Sequence, residues 1–230
     1  KVIIESKLKQ IRLITKLDLK KKNCHQIKNS ILKLKSDLGN NNQIYAILIH
    51  NVDDFIKFRQ KKKLLNLLMD FKKKNIIKNV GVSIYNPEEL KYIIKFFTPK
   101  IIQIPLNVFD DRLIKVKWIL NYIKKKKIEI HARSCFLQGL LLKKNPPKKL
   151  FQFKDKLNFF FRWCDDNNLS YINACLSYVK KFKEIKYLVV GSDSLSQFKQ
   201  IHSIFIRKKI PNVPSFSQKN MKKMIDPRLW

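Results

Sequence analysis

Glycine is scarce in this sequence, with four residues in 230, at positions 39, 81, 139 and 191. Spread so widely, they cannot form a GxGxxG turn after a first strand, which removes the phosphate loop that a Rossmann-type open sheet needs. Cysteine is equally rare. Cys24, Cys135, Cys164 and Cys175 show neither paired spacing nor a CxxC, so a disulfide framework or a zinc site is not indicated, no metal is assigned, and the usage suits a reducing cytoplasm. Long apolar runs are missing as well. Apolar residues reach 45%, but lysines interrupt every run before the roughly 20 residues that span a bilayer. The stretch from Lys1 to Gln10 has no initiating Met and no small-residue cleavage site, and it reads as mid-protein sequence.

Acidic residues are also few, 17 against 50 basic ones, for a formal charge of +33. Such a charge attracts phosphate backbones through counterion release. Yet lysine is distributed along the whole chain beside abundant Asn and Ile, the pattern of an A/T-rich coding sequence. No basic stretch is interleaved with stacking aromatics in the manner of single-strand binders, so nucleic acid is the weaker reading of the charge.

What is present is an alternation of short apolar runs with longer amphipathic segments. Strands are expected at 12–17, 45–50, 80–84, 101–104, 128–131 and 187–191, each β-branched and nearly continuous in apolar character, as in parallel strands buried on both faces. Ile27, Ile31, Leu34 and Leu38 share one helical face ahead of Gly39, a left-handed cap. Leu64, Leu68 and Phe71 repeat that spacing, as do Leu113, Val116, Leu120 and Ile123. In Asn86-Pro87-Glu88-Glu89, Asn86 caps, Pro87 takes the first helical position, and Glu89 is expected to bond back to the cap. Another helix begins at Ser170.

Strand and helix alternating imply βαβ units. Right-handed crossovers leave an open doubly wound sheet or a closed barrel, and the lack of a glycine-rich loop favours a TIM-type (β/α)8 barrel, whose phosphate site follows its last strands. About six βα units are present, two short of closure, in a single domain over 1–230. A barrel keeps its chemistry at the strand ends, and those ends carry polar residues in series: Thr15-Lys16, His50-Asn51, Ser83, Gln103, Arg133-Ser134 and Gly191-Ser192.

That series resembles the aldo-keto reductase superfamily entered at its third barrel strand, with the first two βα units lacking. Leu13-Ile14-Thr15-Lys16 is similar to the strand ending in Thr-Lys, Leu48-Ile49-His50 to the one ending in His, and Val80-Gly81-Val82-Ser83 to the Gly-Val-Ser of the nicotinamide-binding strand. Ile102 to Asn107 resembles the Gln-x-x-x-Asn segment, Ala132 to Leu141 the segment after the seventh strand, and Val189-Val190-Gly191-Ser192 the last strand and cofactor loop. The resemblance implies an oxidoreductase that transfers hydride between NADP or NAD and a small carbonyl or alcohol substrate. Lys16 would lower the pKa of a tyrosine acid, and His50 would hydrogen-bond the carbonyl oxygen. This sequence offers no match for the family's Asp and Tyr, so turnover by the chain alone is in doubt. On the cofactor side, Ser83 and Gln103 would hold the nicotinamide carboxamide, with Ile84 where the family has Asn. Arg133 would replace a stacking aromatic. Ser134, Phe136 and Leu137 would line the pyrophosphate channel, and Gly191, Ser192 and Ser194 would meet phosphate at a helix N-terminus. Gln197 matches the basic residue that receives the 2′-phosphate, which leaves NADP and NAD both open. Asp110-Asp111-Arg112 is similar to a structural turn. Two other readings stay open: a catalytically degenerate nucleotide-binding relative, and a basic nucleic-acid-associated protein.

Overall fold

A computed structural model describes residues 12–39 and 43–230. Its six strands are β1 (Ile14–Leu17), β2 (Ile44–Ile49), β3 (Ile77–Ser83), β4 (Ile101–Pro105), β5 (Glu129–Arg133) and β6 (Ile185–Leu188). They form one sheet in the order β1-β2-β3-β4-β5-β6, and the β1–β2, β2–β3, β3–β4 and β5–β6 pairs are parallel. A doubly wound sheet reverses its order at a switch point. This one advances strictly in sequence, as a singly wound barrel sheet does, in agreement with the expected incomplete (β/α)8 architecture. No helix among the described residues is long and apolar enough to cross a membrane.

Helices follow the strands in alternation: α1 (Cys24–Asp37), α2 (Val52–Lys57), α3 (Lys61–Lys73), α4 (Pro87–Ile93), α5 (Lys117–Lys126), α6 (Lys154–Asp166), α7 (Tyr171–Lys180), α8 (Leu195–Phe205) and the short α9 (Lys222–Ile225). Asn23 caps α1 in a reciprocal box with Gln26, and Gly39 takes φ +80° just beyond its end, the conformation glycine adopts most readily. Asn86 caps α4 as expected, accepting from the Glu89 N–H at 2.9 Å. The Glu89 carboxylate bonds back to the cap residue, accepting from the Asn86 side-chain amide at 3.3 Å, while its other oxygen accepts from the N–H of Tyr85. The periodic stretch from Leu113 to Ile123 is not one helix. Leu113–Lys115 is a single 3₁₀ turn, extended backbone at Val116 breaks the path, and α5 starts only at Lys117.

Contacts divide the chain into two compact units. The first comprises the described residues up to Gln103 with Ile123–Glu129. Its sheet buries Ala46, Leu48 and Ile101 together, with Ile14 and Tyr45 packed beside them. Gly81 belongs to the same layer for a steric reason. A Cβ there would stand 2.4 Å from the Ile101 carbonyl oxygen and 2.5 Å from Leu48 Cδ2, so only glycine lets β3 and β4 approach this closely.

The second unit comprises Ile104–Tyr122 with Ile130–Trp230. Phe109, Phe160 and Phe216 meet at ring-centroid distances of 5.3 to 5.9 Å. Beside them lies the turn Asp110-Asp111-Arg112, whose two carboxylates are almost completely buried. Asp111 accepts from the Tyr178 hydroxyl at 2.5 Å and the Ser215 hydroxyl at 2.7 Å, and pairs with Lys115 at 2.6 Å. Burial pushes its pKa up, but the hydrogen bonds from Lys115, Tyr178 and Ser215 outweigh that and hold it below the ordinary carboxylate range. Asp110 instead titrates above that range, because burial outweighs its forked bonds from Arg112. The turn thus ties α7 and the C-terminal segment together. All four cysteines are buried thiols, and burial drives Cys135 and Cys164 up to about 12, which removes thiolate chemistry near neutral pH.

Candidate functional site

Strand register decides which side chains share a face. Lys16 pairs with Leu48, Leu48 with Gly81, and Gly81 with Ile101. His50, Ser83 and Gln103 lie two positions beyond the last three of these, and alternation brings a side chain back to the same face every second residue. The His50 N–H continues the ladder by donating to the Leu17 carbonyl at 3.1 Å, and Ser83 pairs directly with Gln103. Four of the expected site residues therefore stand at the C-terminal ends of adjacent strands, on one face of the first unit.

Within that set the environments differ. Lys16 and His50 are exposed, and Lys16 also borders a recess of about 130 Å³ between β1 and α1. Ser83 and Gln103 are 2% and 3% exposed. Among the described residues Gln103 Oε1 has no hydrogen-bond partner. A buried amide oxygen left unmet costs about 1–3 kcal/mol, so such an atom at a strand end marks a place where a ligand donor fits.

The second unit holds another group. β5 ends at Arg133, and the following loop has left-handed backbone at Ser134, Leu137, Gln138 and Gly139, with φ between 47° and 82°. Three of these residues are not glycine, at a cost of about 1 kcal/mol or more each. Buried Cys135 and Leu137 anchor the loop. The Leu137 N–H donates to the Ser134 carbonyl at 2.9 Å, and the Asn107 side chain to the same oxygen at 3.2 Å. The loop forms one wall of a cavity of about 410 Å³, with Val189, Val190, Gly191, Asp193 and Gln197 opposite.

Of the expected cofactor contacts, Ser134, Phe136, Leu137, Gly191 and Gln197 line this cavity. Arg133, Ser192 and Ser194 do not line it. Arg133 donates to the Ser134 hydroxyl at 3.3 Å. Ser194 caps α8 by accepting from the Gln197 N–H at 3.1 Å, while Gln197 Oε1 accepts from the Asp193 N–H at 2.7 Å. Ser192 is exposed on the preceding turn. Sequence reasoning missed Gln138 and Asp193 as wall residues. Asp193 had a readable signal, lying between two serines in a cap-like run, whereas the left-handed backbone at Gln138 has none.

The sequence pattern of the Aldo/keto reductase family matches residues 1–217. The chain belongs to this family. Membership makes it one of a class of oxidoreductases that act on small carbonyl compounds. Solved aldo-keto reductase structures agree in fold. One from Bacillus halodurans in its holo form superposes with a TM-score of 0.70 at 17% identity, over 99% of this chain and 76% of the other. Another from the silkworm Bombyx mori gives 0.65 at 16%, over 96% and 67%. The glycerol dehydrogenase from Gluconobacter oxydans gives 0.58 at 19%, over 94% and 79%. No curated protein sequence matches the chain. For an aldo-keto reductase, the strand-end row in the first unit and the cavity after β5 in the second are the features on which function must be argued.

Proposed function

We propose that this aldo-keto reductase, a single barrel-type domain, binds NADP or NAD and serves hydride transfer between it and a small carbonyl or alcohol substrate. The observation that carries the reading is Gln103. Its Oε1 is buried and unmet among the described residues, beside Ser83 and on the same face as Lys16 and His50, so it supplies an acceptor for the N–H of a carboxamide. A bound nicotinamide supplies the hydride chemistry. In the first unit Ser83 and Gln103 would hold its carboxamide; in the second, the family resemblance gives Ser134, Phe136, Leu137 and Gly191 as phosphate contacts. The cavity wall carries Asp193 and no Lys or Arg. A 2′-phosphate therefore finds no cationic partner there, and NADH should bind at least as tightly as NADPH.

On the substrate side, His50 donates a hydrogen bond to the carbonyl oxygen as charge develops on it. Lys16 favours the ionised form of a neighbouring acid by Coulomb attraction. No residue of this sequence takes the proton-donor role, a loss of about a hundred- to ten-thousand-fold in rate. The chain alone is accordingly a better binder than catalyst. Titration with NADH and NADPH, followed by the fluorescence of Trp118, Trp163 and Trp230, tests the reading. Saturable quenching that survives added salt is expected. Unchanged fluorescence together with DNA affinity that falls steeply with salt would instead favour the nucleic-acid reading.

A further inference from the structure

The run Lys20-Lys21-Lys22 is inconspicuous in a chain with 50 basic residues. In the first unit it has a specific setting. The β1–α1 loop and the segment from α2 into α3 flank an open cavity of about 500 Å³. Five of its ten lining residues are cationic, Lys20, Lys21, Lys22, Lys57 and Arg59, against Asp54 alone of opposite sign. Across the whole chain 50 of 230 residues are basic, so the cavity is enriched more than twofold and composition does not account for it. Among the described residues none of the five forms an ion pair. Uncompensated cations gathered around one concavity focus potential on an anion of matching size.

The backbone of both walls is anchored, while the five cationic side chains are exposed. Leu19 and Phe58, 4% and 8% exposed, anchor the two loops. Gln60 joins them, its Oε1 accepting from the Cys24 N–H at 3.0 Å. Lys21 holds φ 55° in the turn closed by Lys22 N–H to Leu19 carbonyl. Phe58 is the one aromatic among the lining residues and is largely buried, so the cavity lacks the successive stacking platforms of single-strand binders. An arginine fork with several lysine point charges suits a compact phosphate dianion. The first loop leaves β1 directly after the strand end that carries Lys16, whereas the second follows α2, the helix that succeeds His50.

We infer that this cavity receives the phosphate of the substrate, so that the carbonyl or alcohol compounds handled by this chain are small phosphomonoesters. The inference rests on the reading of Lys16 and His50 as the carbonyl end of the site. The test is calorimetric titration of the full chain, without dinucleotide, by glycerol 3-phosphate, glycerol and inorganic phosphate. An alcohol ligand avoids imine formation with the lysines. Glycerol 3-phosphate should bind at least tenfold more tightly than either of the others. Lys57→Gln/Arg59→Gln and, independently, Lys20→Gln/Lys22→Gln should each weaken it tenfold or more, whereas Lys72→Gln/Lys73→Gln, which removes the same charge from α3 outside the cavity, should change it less than twofold. Equal binding of glycerol and its phosphate overturns the inference. So does equal binding of inorganic phosphate, which makes the cavity a free-phosphate site, and so does an equal loss in the α3 control. NADH binding, measured separately by tryptophan fluorescence, keeps the failures apart: its loss alone sinks the reductase reading, and loss of ester affinity alone sinks this one.

Discussion

Replacing Gln103 by Leu should raise stability and lower dinucleotide affinity in the same protein. The side chain is 3% exposed and its Oε1 meets no donor among the described residues. Folding therefore carries the desolvation of an unmet amide oxygen, about 1–3 kcal/mol. Leu has similar volume and no polar atom, so the unfolding free energy should rise by about 1 kcal/mol once imperfect packing is allowed for. In a domain of this size that is an upward shift of about 2–4 °C in the thermal midpoint. Binding moves the other way. The nicotinamide carboxamide loses an acceptor and leaves an N–H unmet in a buried place, about 1.5 kcal/mol or roughly tenfold in affinity. Urea denaturation gives the first quantity and NADH titration by tryptophan fluorescence the second. A Gln103→Leu protein that is less stable than the parent and binds NADH unchanged would show that Gln103 is a packing residue, and the cofactor assignment of the β3–β4 strand ends would fall with it.

How far the molecule could be read from its sequence depended on whether the determining interaction was local. β2 and β4 are within a residue of expectation because continuous β-branched runs mark buried parallel strands. β3 begins three residues early, at Ile77, because Lys78 and Asn79 are polar and are ordered by pairing against β2. α6 escaped notice since Leu157, Phe160 and Phe161 are buried while Phe159 is 59% exposed, which blurs any amphipathic stripe. The row Lys16, His50, Ser83 and Gln103 was legible because a two-residue period transmits register from strand to strand. In contrast, Ser194 and Gln197, expected at phosphate, are engaged with each other as a helix cap, and a cap and an anion site share the same residue types. The basic cavity was hidden by composition. Lysines elsewhere carry the same letter, and only the folding of two loops toward each other distinguishes these.

Two further substitutions test the packing on which both sites stand. Gly81→Ala places a methyl 2.4 Å from the Ile101 carbonyl oxygen. That backbone atom is held in the ladder, so the variant should lose about 1–3 kcal/mol and a lower urea midpoint should be seen; an unchanged midpoint would mean that β3 and β4 can part without cost. Asp111 gives a pH signature. Its pKa is lowered in the fold because, against burial, Lys115, Tyr178 and Ser215 all stabilise the carboxylate. A depressed folded pKa contributes stability that is present above the unfolded value of about 3.9 and disappears as pH falls through the folded one. The parent should therefore weaken on acidification below about pH 4. Asp111→Asn should already be weaker at neutral pH, by about 3 kcal/mol for a buried charge network broken at its centre, and should show a shallower loss through the acid range. Tyr178→Phe removes one of the three bonds, so the Asp111 pKa rises and the acid loss begins at higher pH. Parallel acid curves for the parent and Asp111→Asn would place the titrating carboxylate elsewhere, and the turn beside β4 would then hold the C-terminal segment by packing rather than by charge.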